Sequence, residues 1–299
     1  MNYQWYPGHM TKAKRAMEED IRLIDLIIEL VDARMPLGSR NPDIDRLGRQ
    51  KARLVLLNKA DLADPAVNRE WIRWFEAQNV KALEINAQTG QGMKRIQGAV
   101  QEVCRDKTER DRKRGIKNRP VRAMVAGIPN VGKSTFINSF AGKACTKTGN
   151  RPGVTKGKQW IRLNRELELL DTPGILWPKF EDQQAGMHLA FIGSMNDEII
   201  VMEEMALDLI RFLQENYPDC LKERYGCGEA LTPVQVLETA AKKRGCLKKG
   251  GEADLTRASA LIVEDFRAGR LGRISLERPE KAREQAADAK KQTEEGETE

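Results

Sequence analysis

The sequence predicts an α/β protein: a doubly wound, mostly parallel sheet followed by a small all-α domain. Three observations carry this. The runs DLIIELV (25–31), RLVLL (53–57) and VRAMVAG (121–127) are apolar without alternation, as strands covered on both faces are. Each runs into a loop of Asp, Asn, Lys or Gly at its carboxyl end. From about Asn196 the pattern turns helical, with Gly and Pro breaks and no strand-like alternation.

In chain order, residues 8–22 read as a helix of mixed charge and 25–31 as a buried strand that ends at Asp32-Ala33-Arg34 before the loop MPLGSRNP. The strand 53–57 delivers Asn58-Lys59-Ala60-Asp61. An aspartate at such a strand end can accept from both N1–H and N2–H₂ of guanine, whereas adenine would leave the carboxylate unpaired. Asn58 can bridge the base edge and a phosphate loop, and the Lys59 stem can lie over a purine face. Alone, N-K-x-D also describes an ordinary solvated turn. Residues 65–78 form an amphipathic helix whose aromatic stripe, Trp71, Trp74 and Phe75, reads as core rather than as a base-stacking platform. A short strand at 82–85 leads into Asn86-Ala87-Gln88. Residues 105–122 carry nine Arg or Lys against three Asp or Glu, which fits either a solvated linker helix or a surface for phosphate backbones.

The chain is organised around Gly127-Ile128-Pro129-Asn130-Val131-Gly132-Lys133-Ser134, a G-x-x-x-x-G-K-S loop between an apolar strand and the helical STFINSFAG. Its glycines let successive N–H groups converge on one anion, and the helix N-terminus adds partial positive charge. Lys133 can reach β- and γ-phosphates, and the Ser134 hydroxyl can bind Mg²⁺; Val131, Gly132 and Thr135 complete the cradle. A plain glycine turn is the competing reading, and the strand–loop–helix context argues against it. Downstream, Thr155 lies in a Gly-rich loop as the candidate second hydroxyl on Mg²⁺. A strand at 167–170 then delivers Asp171-Thr172-Pro173-Gly174. Asp171 can hold the Mg²⁺ hydration shell and the Gly174 N–H can contact a γ-phosphate.

These motifs resemble those of the translation-factor class of GTPases in rotated order. The guanine loops NKAD and NAQ come first, and the phosphate loop, Thr155 and DTPG come after. NAQ is similar to the S-A-K loop that closes over guanine, with Asn86 for Ser and Gln88 for Lys; there the Ala87 N–H would meet guanine O6. The fold this implies is a circularly permuted P-loop GTPase, plausible because domain termini lie close together. With WYPGHM, VDARMPLGSRNP, GIPNVGKS and DTPGIL, the chain most resembles the ribosome biogenesis GTPase A family, over about the whole length to residue 279.

The resemblance implies GTP hydrolysis with bound GTP or GDP, Mg²⁺, and a role in late maturation of the large ribosomal subunit. The partners are then the subunit precursor, its rRNA and possible ribosomal proteins. It implies further that Asn130 helps bind K⁺ where an arginine finger otherwise places charge; a turn-shaping role is the plainer reading. Ras-like proteins carry Gln after D-x-x-G to orient water; here Ile175 stands there. His9, one of two histidines, is the catalytic candidate the resemblance supplies, beside Lys133 and Thr155, against a packing or surface role. A guanine-nucleotide-binding RNA scaffold with little hydrolysis of its own is the contrasting function.

The expected domains are the permuted GTPase at 1–178, a helical RNA-binding domain at 179–279 bearing Lys242, Lys243, Lys248 and Lys249, and a disordered charged tail at 280–299. At 299 residues the chain is long enough for two domains and a core. No apolar run approaches the roughly 20 residues of a membrane span, and MNYQWYPGHMTKAKR lacks a signal-peptide core. Five scattered cysteines without C-x-x-C spacing read as reduced thiols. A cytoplasmic protein that does not use a membrane is expected. With a net charge of +7, where the charge sits matters more than its total.

Overall fold

Leu26–Asp32 forms β1, and all seven of its side chains are buried. It is flanked by strands on both sides in a six-stranded sheet of order β3-β2-β1-β4-β6-β5, and burial of both its faces explains why its sequence does not alternate. The other strands are β2 (Ala52–Asn58), β3 (Lys81–Glu84), β4 (Val121–Ala126), β5 (Gln159–Arg162) and β6 (Leu167–Asp171). All pair in parallel except β5, which runs antiparallel to β6. This computed structural model describes residues 18–116, 119–142, 159–171, 183–197, 200–228 and 230–280. They divide into two units, one holding the sheet together with residues 275–280, the other holding residues 183–274.

The topology positions the site. β1 leads outward to β2 and β3 on one side, and β4 leads to β6 and β5 on the other. The switch point therefore lies between β1 and β4, where open α/β sheets bind ligands at the strands' carboxyl ends. Between β2 and β3 the helix Pro65–Glu76 starts on Asp64, which accepts from the Ala66 N–H at 2.8 Å. Trp71 and Phe75 are buried with Val31, Val55 and Leu57, so the aromatic stripe is core. In contrast, the helix Arg105–Lys113 buries no residue at all. The acid in the middle of β1, Glu29, is buried but paired with Arg53 at 2.8 Å and Arg40 at 3.2 Å.

The second unit contains helices Gln183–Phe191, Met202–Asn216, Pro218–Tyr225, Pro233–Arg244 and Leu255–Arg267. Their ends follow the sequence. Pro218 and Pro233 open helices, Thr232 and Gln235 form a capping box, and Gly245 closes its helix with φ 69°. Leu209, Leu213, Leu237, Ala241, Ile262 and Phe266 are buried. A buried acid holds this core together: Asp265 accepts from Arg224 Nε at 2.8 Å and from the Tyr225 hydroxyl at 3.0 Å. Lys242, Lys243, Lys248 and Lys249 are exposed. Among the described residues no helix is long and apolar enough to cross a membrane.

Candidate functional site

The phosphate loop turns out of β4 and enters the helix Lys133–Ala141, which ends on Gly142 at φ 65°. Gly132 is left-handed, at φ 100°, and a Cβ there would lie 2.5 Å from Asn58 Nδ2. Glycine is thus required both by backbone and by space. Asn130 holds φ 58°, a conformation Asn tolerates better than most residues. The helix cap is glycine, which makes no side-chain bond to the first-turn N–H groups. The Lys133 ammonium lies within the loop and donates to the carbonyls of Gly127 at 3.0 Å and Ile128 at 2.9 Å.

Asn58 ties three motifs together. It ends β2 level with Asp32 of β1. Its Nδ2 donates to the Val131 carbonyl at 2.8 Å, and its Oδ1 accepts the Ala87 N–H at 3.0 Å. The NKAD turn is braced from β3 by the Ala60 N–H, which donates to Ile85 O at 3.1 Å. Lys59 stands at φ 58° and Asp61 is exposed. Asn86 is buried, and its Oδ1 accepts from the N–H groups of Gln88 at 2.9 Å and Thr89 at 3.0 Å. That is the reason Asn can stand in the S-A-K position: its side chain folds the loop. Gln88 is exposed, and Ser134 and Thr135 are half-buried in the first helical turn.

The donor chemistry suits Mg²⁺: the Ser134 hydroxyl follows Lys133 directly, and β6 places Asp171 beside Val125, two residues before the loop. The Asp171 side chain, His9, Thr155, Gly174 and Ile175 lie outside the described residues, as does the tail beyond residue 280.

Two features of this edge escaped the sequence reading. Asp32 is fully buried; Arg34 grips it through Nε and Nη2, both at 2.8 Å, and Lys59 Nζ reaches it at 3.0 Å. Burial alone would raise this carboxyl, but the Arg34 and Lys59 charges and hydrogen bonds outweigh it and hold Asp32 well below the usual carboxylate range. The spacing D-A-R was its only signal. Second, the chain returns after the helical unit. The Leu276 N–H donates to Arg34 O at 2.7 Å, and Glu277 accepts from the N–H groups of Leu37 at 2.8 Å and Gly38 at 2.9 Å. Ser275–Glu277 therefore lies with the sheet, whereas the sequence reading carried the helical domain to 279. No local pattern announces this return.

A family described as 50S ribosome-binding GTPase matches residues 122–226. The match starts within β4 and leaves NKAD and NAQ outside it, as the rotated motif order requires. Over nearly the full length, a ribosome biogenesis GTPase A of Bacillus cereus is 48% identical across 292 residues, 97% of this chain and 99% of that one. This chain belongs to the ribosome biogenesis GTPase A family. Its activity is GTP hydrolysis in ribosome biogenesis, with nucleotide binding that depends on Mg²⁺. A ribosome biogenesis GTPase A of Thermotoga maritima is 33% identical, covering 92% of this chain and 94% of the other. Two solved structures of that organism's YlqF, one GDP-bound and one GNP-bound, each align with a TM-score of 0.63, at 28% and 29% identity. They cover 89% and 90% of this chain and 100% and 99% of theirs. The permuted α/β fold read from the motif order is thus the family's.

Proposed function

We propose that this GTPase is a GTP-switched assembly factor that acts late in maturation of the large ribosomal subunit. The observation that carries the reading is the Asn58 bridge, which joins the guanine loops to the phosphate loop in one hydrogen-bonded unit. In this reading Asp61 pairs with the guanine N1–H and N2–H₂. Lys59, its ammonium anchored on Asp32, lends its stem to the purine face. The Ala87 N–H is shared between Asn58 and guanine O6. Lys133 exchanges its loop carbonyls for the β- and γ-phosphates. Ser134, Thr155 and Asp171 serve Mg²⁺, Gly174 senses the γ-phosphate, and Asn130 holds K⁺.

GTP orders the loops around Thr155 and Gly174, and hydrolysis releases them. With Ile175 in the water-orienting position, free turnover is slow. The subunit then stimulates it through His9, whose neutral imidazole can orient or deprotonate water. GTP and GDP are the ligands expected from the nucleotide-bound YlqF structures, and the large subunit is the partner expected from the description of the matching family. The helical domain, which ends at Ile274, docks on rRNA through the exposed lysines around 242–249, and ribosomal proteins complete the contact. The setting is the cytoplasm. Cosedimentation tests the reading: the chain should pellet with large-subunit particles in a non-hydrolysable GTP analogue and leave them in GDP. Pelleting that ignores the nucleotide would favour an RNA scaffold.

A further inference from the structure

The sheet unit carries a second basic feature, at the edge opposite the nucleotide loops. The helix Arg105–Lys113, the entry to β4 and the turn between β5 and β6 enclose an open cavity of about 930 Å³. The strands begin here: Val121 and Leu167 line the cavity, and their strands carry the chain away toward the phosphate loop and Asp171. Gln101 Nε2 donates to Glu166 Oε2 at 3.1 Å, fixing the β5–β6 turn against the helix Ile96–Val103.

The charges around this cavity are unevenly committed. Lys107 is spent on Asp25 and Asp111, at 3.2 and 3.0 Å, and Arg119 faces Asp25 at 3.6 Å. Arg105, Arg112, Arg162 and Arg165 are exposed and have no side-chain partner among the described residues. Of the three acids in the lining, Asp111 is paired with Lys107, while Glu109 and Glu166 keep their charge, Glu166 held in place by the neutral Gln101 amide; two carboxylates thus face the four guanidiniums. Four guanidiniums without partners therefore converge on one groove from two elements far apart in sequence. Part of this helix is an ordinary solvated face, with Lys107 and Asp111 paired at i, i+4, but solubility alone does not account for Arg105 and Arg112, which stay unpaired among the described residues. Nor does it account for their meeting Arg162 and Arg165 across a cavity. On the neighbouring strands Arg122 lies 5.4 Å over the ring of Trp160, which is 43% exposed. Arg122 is itself paired with Glu168 at 3.4 Å and Trp160 lies outside the cavity lining, so the groove's own guanidiniums carry the assignment: their planar donors suit the closely spaced phosphates of a nucleic-acid backbone.

We propose that this groove is a second RNA-docking surface that takes the phosphate backbone of rRNA, independent of the helical domain. The proposal rests on the ribosomal reading above. It makes the GTPase unit bind at both edges, nucleotide at the strands' carboxyl ends and RNA at their amino ends.

The test is a salt titration of binding, with the full chain, a fluorescein-labelled hairpin of large-subunit rRNA and purified large-subunit particles. The variants are Arg105→Gln/Arg112→Gln/Arg162→Gln/Arg165→Gln and, separately, Lys242→Gln/Lys243→Gln/Lys248→Gln. Each phosphate contact removed lowers the slope of log affinity against log salt by about 0.7 to 0.9. The groove variant should thus lose a slope of roughly 3 and at least tenfold in hairpin affinity, while GDP affinity, which also reports folding, stays unchanged. Losses in the two variants should add. An unchanged hairpin slope in the groove variant, with wild type still bound to particles, would overturn the groove and leave the assembly-factor reading standing. Weakened particle binding with unchanged hairpin binding would assign the groove to a ribosomal protein and equally overturn the proposal. Wild type that binds neither hairpin nor particle would remove both readings.

Discussion

Asn58 Nδ2 donates to the Val131 carbonyl at 2.8 Å, across 73 residues of sequence. One side chain thereby fixes the distance between a base-reading loop and a phosphate-reading loop. The bond is buried, so removing the donor leaves Val131 O without it, at a cost of about 1–3 kcal/mol. Asn58→Asp keeps the acceptor for the Ala87 N–H but cannot donate to Val131. Both Asn58→Asp and Asn58→Ala should bind GDP at least tenfold more weakly and melt a few degrees lower. Titration with a fluorescent GDP analogue and a thermal melt check this; unchanged GDP affinity in Asn58→Ala would mean that the bridge does not organise the site.

Asp61 lies exposed in the turn after Lys59. Asp61→Asn should lower GTP affinity and raise that for xanthosine triphosphate, whose 2-oxo group accepts where guanine donates. Competition binding of the two nucleotides reads this directly. Lys133→Ala and Ser134→Ala should each abolish measurable hydrolysis, since one removes the charge facing the phosphates and the other a Mg²⁺ ligand. Normal phosphate release by both variants would dismiss the assigned roles.

Asp32 anchors both Arg34 and Lys59 from a fully buried position. Asp32→Asn would leave Arg34 buried without its counter-charge, at a cost of about 3–5 kcal/mol. The native carboxyl titrates below its unfolded value of about 3.9. Its contribution is therefore complete above that value and fades as pH falls from there toward the depressed native one. Urea denaturation from pH 7 down to 3 should show a constant gap between wild type and Asp32→Asn until about pH 4, and a narrowing gap below it. A gap that closes near pH 6 would point to another group.

The strands and the motif loops were legible because each depends on local facts. Apart from Glu29, residues 26–31 are apolar on both faces because β1 is covered on both, and G-x-x-x-x-G-K-S needs only its own glycines and the helix after it. What escaped reading is what depends on distant partners. Asp32 looked like a loop residue until Arg34 and Lys59 closed on it. The helical pattern in sequence runs to Ile274, but nothing local to Ser275–Glu277 shows that Glu277 accepts N–H groups from Leu37 and Gly38, 240 and 239 residues away. The role of Asn86 was half legible: the departure from S-A-K was visible, but the N–H groups of Gln88 and Thr89 that explain it were not.

Hydrolysis without an orienting glutamine gives a further expectation. His9→Ala should bind GTP normally and lose most of the subunit-stimulated rate, since a positioned acid–base group typically contributes about 10²–10⁴-fold. Potassium should accelerate turnover relative to sodium, and Asn130→Ala should abolish that difference. Rates in each salt, with and without particles, separate the two effects. Equal stimulated rates in His9→Ala and wild type would retire His9 while leaving the GTPase itself untouched.

The most direct test of the account as a whole is the single-turnover rate of GTP hydrolysis by wild type, with and without large-subunit particles, in potassium and Mg²⁺. A GTP-switched assembly factor of this subunit should turn over slowly alone and at least tenfold faster on the particle. A rate that the particles leave unchanged would contradict it.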